Sequence, residues 1–335
     1  MTSSNRRLLL AAGVTAPLFS IPAFAKNAEI RFKFGSSMPG NHPSTLRIQE
    51  ALSKIREATQ GRVDIQMFPA GALGSDIDMV SQVRSGALQM MYLPQAHLSS
   101  MAPRGALHSV PFAFEDYDDV WAAMDGPLGA YIRTIYTKVG LHAFERPWDH
   151  GFMHMTTRSK PIETPKDMQG LRVRASVVPL YVSMFRALGA APTAIPFPEL
   201  YMALQANVVD AQNNPLQLLD LAKLYEVQSF CSLTAHTWEG YFACANARAW
   251  ARVPAELQTV ISEHLNAAAL LARDDLRQLN ETVEARLRTH GMQFNRPERE
   301  PFRLALQKAG FYQEWKAKFG PEAWEILEKQ TGKLA

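Results

Sequence analysis

Residues 170–216 read GLRVRASVVPLYVSMFRALGAAPTAIPFPELYMALQANVVDAQNNPL, and their punctuation decides the fold. Leu171 to Ala175 reads as a strand. Pro179 opens a helix that runs through Leu188 and stops at Gly189, since proline suits a first helical turn and glycine a left-handed end. Ala194 to Phe197 is extended. Pro198 opens a second helix ending near Asn207, Val208 to Gln212 is a short strand, and Pro215 starts another helix. The order β-α-β-α-β implies parallel strands joined by right-handed crossovers.

The same order occurs earlier in the chain. Glu29 to Gly35 alternates, with Ile30, Phe32 and Phe34 on one face. Pro43 opens a helix carrying Leu46, Ile48, Leu52 and Ile55, with Gly61 after its end. Arg62 to Phe68 alternates again, a helix runs from about Asp76 to Arg84 before Gly86, and Leu88 to Leu93 is a third strand. Two such units predict two α/β domains, each built on a mostly parallel sheet. Ligands in such folds sit beyond the carboxyl ends of the strands.

Beyond the second unit, Phe230 to Ala245 reads as two strands returning the chain to the first domain. Pro254 to His290 then lacks internal Gly or Pro and is rich in Ala, Leu, Glu and Arg, a helix of roughly 55 Å. That exceeds the width of one small domain, so it is expected to lie across both. Pro301 to Leu334 supplies two further amphipathic helices anchored by Trp315 and Trp324. The expected partition is residues 26–150 with 241–280 as one domain and 151–240 with 281–335 as the other, the ligand cleft between them.

Three strand-to-helix corners of the second unit meet on one sheet edge. They carry Arg174, Phe197, and Asn213 with Asn214. A guanidinium there offers a planar fork matched to a carboxylate, and the helix opening near Pro179 adds a positive dipole end. Phe197 can wall a carbon skeleton, and an asparagine amide can bond a carboxylate or hydroxyl. Each has a plainer reading: Arg172 and Arg174 as solvent-facing charges, Phe197 as core, Asn214 as a helix cap.

The motifs Gly170-Leu171-Arg172-Val173-Arg174, Ala187-Leu188-Gly189-Ala190, Pro196-Phe197, Glu199-Leu200-Tyr201 and Gln212-Asn213-Asn214-Pro215-Leu216 resemble one stretch of the DctP family of TRAP solute-binding proteins. Phe68-Pro69-Ala70-Gly71, Leu73-Gly74-Ser75, Val83-Arg84-Ser85-Gly86-Ala87 and Val110-Pro111-Phe112 extend the resemblance over nearly the whole chain after residue 25. It implies a two-domain periplasmic-binding-protein fold in which Arg174 grips a carboxylate and Asn214 and Phe197 line the cleft. It also turns the corners at Ser37 and at Pro94–Gln95 towards the ligand, with Tyr241 and either Trp238 or Glu239 on the return strand. Trp148 and the stretch Gly151-Phe152-Met153-His154 form a further wall. Many relatives carry a second arginine where this chain has Met153. A pocket with one guanidinium is expected to prefer a monocarboxylate, aromatic or hydroxylated, over a dicarboxylate.

The first residues read as an export signal. Arg6 and Arg7 precede an apolar run from Leu8 to about Phe19 and then Ala23-Phe24-Ala25, a small-x-small cleavage pattern too short to span a bilayer. Cleavage near Ala25 and a periplasmic destination follow as expectations, by the general or the twin-arginine route. Of 35 basic and 32 acidic side chains this segment removes two arginines and no acids. The near-neutral remainder lacks the concentrated basic face of a nucleic-acid binder. Cys231 and Cys244 are compatible with a disulfide, but two separate buried thiols are the favoured reading.

An enzyme is the weaker reading. His150 with His154, and His236 with Glu239, have spacings seen in zinc sites, but neither pair sits in an HExxH helix. GxSxG, phosphate-loop and dinucleotide patterns are missing from the sequence. No metal or cofactor is expected. The expected partners are a small organic acid and a TRAP membrane permease, with the protein itself a monomer. A sensor that presents its ligand to a membrane kinase would use the same cleft.

Overall fold

The computed structural model describes residues 28–334; the export segment expected over 1–25 lies outside them. The first unit runs β1 (Ile30–Gly35), α1 (Pro43–Ala58), β2 (Val63–Phe68), α2 (Asp76–Ser85) and β3 (Met90–Pro94). Its helices start and stop for local reasons. His42 Nδ1 accepts the Ser44 N–H at 3.2 Å ahead of α1. Ser75 and Asp78 form a capping box on α2, which Gly86 ends at φ 89°. Ile48, Ala51, Leu52 and Ile55 put one face of α1 into the core.

Two short 3-10 segments follow, Gln95–Ser100 and Pro103–Ser109, then α3 (Tyr117–Met124), α4 (Pro127–Lys138), β4 (Leu141–Ala143) and β5 (Trp148–Phe152). The chain then enters a second sheet through β6 (His154–Thr157), β7 (Arg172–Ala175), α5 (Pro179–Ala187), β8 (Ala191–Ala194), α6 (Leu200–Gln205), β9 (Ala211–Asn214), α7 (Leu216–Leu221) and β10 (Phe230–Ser232). It returns by β11 (Trp238–Asn246), followed by α8 (Ala247–Trp250), α9 (Ala255–Thr289), β12 (Gln293–Asn295), α10 (Glu300–Lys308), α11 (Phe311–Phe319) and α12 (Pro321–Thr331).

The sheets have the orders β2-β1-β3-β11-β4, with β5 beside β11, and β12-β10-β6-β9-β7-β8. Each β-α-β-α-β core is parallel, as expected. The strands that connect the two sheets, β11 and β6, run antiparallel to their neighbours. The second unit differs from the sequence reading in register. Its second strand begins three residues early, because Ala191 N–H already bonds Leu171 C=O at 2.8 Å. Its third begins three residues late, because Asn207 at φ 57° ends the preceding helix in a turn.

α9 carries one buried stripe, from Leu257 and Ile261 through Ala269 and Ala272 to Val283 and Leu287. Its first half packs on α1 and β5, and it also contacts α7 of the second unit. The single helix therefore spans both sheets, as its unbroken composition predicts. The tail is three helices, not two, because Gly310 (φ 75°) and Gly320 (φ 83°) each break it. α11 touches α5 and the segment 103–109, and α12 lies on α3 and α4, so the tail meets both units. Cys231 and Cys244 are free, buried, and on strands of different sheets. Among the described residues no helix is long and apolar enough to cross a membrane.

Candidate functional site

The carboxyl ends of both parallel cores face each other across one cavity. The first unit lines it with Met38, Asp76, Pro94, His97, His150, Glu239 and Tyr241, and the second with Arg174, Ser176, Tyr181, Phe197, Asn214 and Leu218. Met153 stands at the crossing between them. The enclosed space is about 20 Å³, room for about one water-sized sphere. A second, shallower cavity of about 230 Å³ lies at the mouth, bounded by Ser37, Pro39, Phe197, Pro198 and Tyr201. Phe197 lines both.

Arg174 is 1% exposed. Its Nε donates to Ile195 C=O at 2.8 Å, which fixes the guanidinium plane and leaves the Nη end for an anion. Nη1 makes no hydrogen bond to any described residue. Burial lowers its pKa to about 10, with the charge of Asp76 opposing that fall, so it stays cationic at neutral pH. Arg172, two residues earlier on the same strand, is exposed and forks onto Asp210 at 2.8 and 2.6 Å.

The first wall is acidic. Glu239 accepts from Ala96 N–H at 3.3 Å and from Ser109 Oγ at 3.3 Å, bonds His108 Nε2 at 3.1 Å, and accepts from Tyr181 Oη across the cleft. Burial pushes its pKa up, but the hydrogen bonds and His108 outweigh this and leave it below the ordinary carboxylate value. Asp76 is also buried, but among the described residues only Ser37 Oγ hydrogen-bonds its side chain, donating to Oδ2 at 3.0 Å. Burial raises its pKa against the opposing fields of His97 and Arg174. His150 is pushed down to about 4 by burial, and His97 is lowered for the same reason. Both rings are neutral near pH 7.

Of the residues singled out in the sequence, the structure brings Arg174, Asn214, Phe197, Met153 and Tyr241 to this cavity. It places five elsewhere. Ser37 lines the mouth and reaches the inner cavity only through Asp76. Gln95 is buried beside Gly240, while its neighbours Pro94 and His97 face the cavity. Trp148 lies in the core, edge-on to Tyr92 at 5.4 Å. Trp238 points to the opposite side of β11 from Glu239 and Tyr241, as strand alternation demands, and its Nε1 donates to Asp149 at 2.9 Å. Its ring folds over Gly240, where a Cβ would fall 2.2 Å from it. His154 is excluded by the same alternation, because Met153 faces in; its Nδ1 accepts Ala235 N–H at 3.1 Å.

The sequence reading missed Asp76, His97, His150, Ser176 and Tyr181 as cleft residues. Counting back two from Tyr241 selects Glu239 over Trp238, but nothing local marks the others. Among the described residues no group of three or more His, Cys, Asp or Glu side chains is placed to hold a metal.

Residues 34–317 match the profile of the DctP family, described as bacterial extracellular solute-binding protein, family 7. The chain belongs to this family. DctP proteins bind solutes for TRAP-type transport and are not enzymes. This member is similar to an uncharacterized protein of Sinorhizobium fredii, 32% identical over 90% of this chain and 56% of that one, so it spans little more than half of that relative. It is similar to the solved TRAP periplasmic solute-binding protein of Polaromonas sp. JS666 bound to D-erythronate, at 27% identity and TM-score 0.84 over 89% and 98% of the two chains. It is also similar to that of Sulfurospirillum deleyianum with bound succinate, at 26% identity and TM-score 0.83 over 90% and 99%.

Proposed function

We propose that this DctP protein captures a hydroxylated monocarboxylate in the periplasm by hinged closure and delivers it to a TRAP membrane permease, acting as a monomer. One observation carries the reading: a single buried guanidinium with an uncommitted Nη1 faces two buried carboxylates, Asp76 and Glu239. Arg174 takes the ligand carboxylate through its Nη end, with Asn214 alongside and Phe197 against the carbon chain. The acids opposite accept hydrogen bonds from hydroxyl groups and repel a second carboxylate. A purely apolar or aromatic remainder would strand them, so the hydroxy acid is the preferred member of the expected class. D-erythronate in the Polaromonas relative has this chemistry; succinate in the Sulfurospirillum relative does not.

A cavity of about 20 Å³ admits no such acid until the walls part. Because β5 runs to Phe152 and β11 starts at Trp238, both in the first sheet, the closure units are taken to divide at the crossings and not at the expected 150/151 and 240/241, so Glu239 moves with the first unit. Three segments cross between the sheets among the described residues: Met153, the link 233–237, and α9. The first two are stitched together, with Met153 N–H donating to Thr237 C=O at 2.8 Å and His236 N–H to Met153 C=O at 3.3 Å. Such a paired crossing can bend while holding its register. Ligand contacts made to both walls exist only in the closed form and shift the equilibrium towards it.

Calorimetric titration with D-erythronate, glucuronate, phenyllactate and succinate tests the proposal. The hydroxylated monocarboxylates should bind tightest. Tight succinate binding with none by the hydroxy acids would overturn it.

A further inference from the structure

We infer that the carboxylate is captured together with one proton, taken from solvent onto Oδ1 of Asp76. The inference rests on the reading of the cleft just given. Among the described residues lining the cavity, Arg174, Glu239 and Asp76 sum to minus one when both acids are ionised and the histidines neutral. A bound carboxylate makes it minus two inside a closed, poorly solvated space. That imbalance is relieved most cheaply where an acid is least committed.

Glu239 is fully engaged by donors from Ala96, His108, Ser109 and Tyr181, so it keeps its charge. Asp76 has one donor, Ser37, and its Oδ1 bonds no described residue. Burial raises the pKa of Asp76, and what favours its charged form before the ligand arrives is His97, the Ser37 hydrogen bond, the field of Arg174 and its own place as first residue of α2, at the positive end of the helix. The ligand carboxylate takes over Arg174 and adds a second negative charge to the same space. Carboxylates that share a site raise one another's pKa, most for the one with the fewest donors. A proton from bulk water therefore joins Asp76 Oδ1, no ligand bond breaks, and the new O–H donates to a ligand oxygen. The other titratable groups in the field of Asp76 or on the cavity wall are His97 after β3, His150 on β5, Glu239 and Tyr241 on β11, Arg174 on β7 and Tyr181 on α5. Of these, His97 is the rival proton acceptor, since its Nδ1 also bonds no described residue.

Titration of the full exported protein at pH 7–8 with the tightest acid of the panel, in buffers of differing ionisation enthalpy, counts the protons. Uptake approaching one per ligand is expected, with affinity falling up to about tenfold per pH unit above neutrality. Asp76→Asn should abolish the uptake and bind tighter than the unaltered protein at pH 8, while His97→Gln should retain it. No uptake by the unaltered protein, a count that needs no variant to fold, overturns the inference and leaves the cleft reading standing. Full uptake by Asp76→Asn, or its loss in His97→Gln alone, also overturns it. If none of the panel binds, the cleft reading fails and the inference falls with it.

Discussion

The first wall of the cleft offers Asp76, His97, His150 and Glu239, whereas the second offers Arg174, Ser176, Asn214 and Phe197. One wall is acidic and drawn from five separated segments; the other carries the cation and comes from three consecutive strand ends of one sheet. The second wall alone holds a group that attracts an anion, so it selects the ligand's charge. The first wall, by its acids, selects what the rest of the ligand displays. Tyr181 of the second unit, bonded to Glu239 of the first, ties the two when the cleft is shut.

Five outcomes would break or sharpen this contrast. The largest concerns two histidines of the first unit, one on the cleft wall and one at the start of α1. His150 and His42 are buried neutral, with pKa values pushed down to about 4 and about 3. In the unfolded chain they take up protons near pH 6.5, so their stabilisation is complete above that pH and is lost as pH falls towards the folded values. His150 alone should forfeit on the order of 3 kcal/mol, read as a falling urea midpoint between pH 7 and 4. His150→Gln should flatten that slope.

Arg174→Ala removes the cation of the second wall. Losing a charge-assisted bond of about 1.5–3 kcal/mol weakens ligand binding roughly 10- to 150-fold, and Arg174→Lys restores only part because the planar fork is gone. Unchanged affinity in the alanine variant would end the claim. On the opposite side, Glu239→Gln leaves donors from four residues poorly matched and should lower unfolding free energy by about 1–3 kcal/mol. Chemical denaturation measures this without any ligand.

Met153→Arg would place a guanidinium at the crossing and weaken the asymmetry. The ratio of succinate to erythronate affinity should rise by roughly tenfold, measured by calorimetry. Arg172→Ala should do least. Arg172 lies on the same strand as Arg174 and pairs with Asp210 in solvent, where such ion pairs contribute little, so ligand affinity should not change.

Arg172 and Arg174 also show how far the sequence could be read. Alternation puts both on one face of β7, and alternation cannot tell which is solvated. The family resemblance singled out Arg174, and the structure gives the reason: it is the last arginine before the strand end, where the chains of both units close over it. The second wall was legible because Pro179, Gly189, Pro198 and Pro215 punctuate each corner locally. Strand boundaries still slipped by three residues in β8 and β9, where pairing with β7 settles the register and propensity does not.

The first wall was hardly legible. Asp76 read as nothing more than a helix start, and His150 as half of a rejected zinc pair. Gln95 came with the corner that the resemblance turns towards the ligand, and the irregular segment 95–100 has no period from which to tell inward from outward. The resemblance puts Trp148, His154 and, as the alternative to Glu239, Trp238 in the cleft, and strand alternation or depth in the core turns each away.

By itself, then, the sequence determined two β-α-β-α-β units, one long helix across both, 35 residues in the fold, and a strand end that carries Arg172 and Arg174. Those follow from local signals: proline and glycine punctuation, side-chain period and unbroken helix propensity. Only the tertiary structure decided that Arg174 would look across at Asp76 and Glu239. A buried charge is defined by what surrounds it, and here the surroundings come from segments more than sixty residues apart on either side.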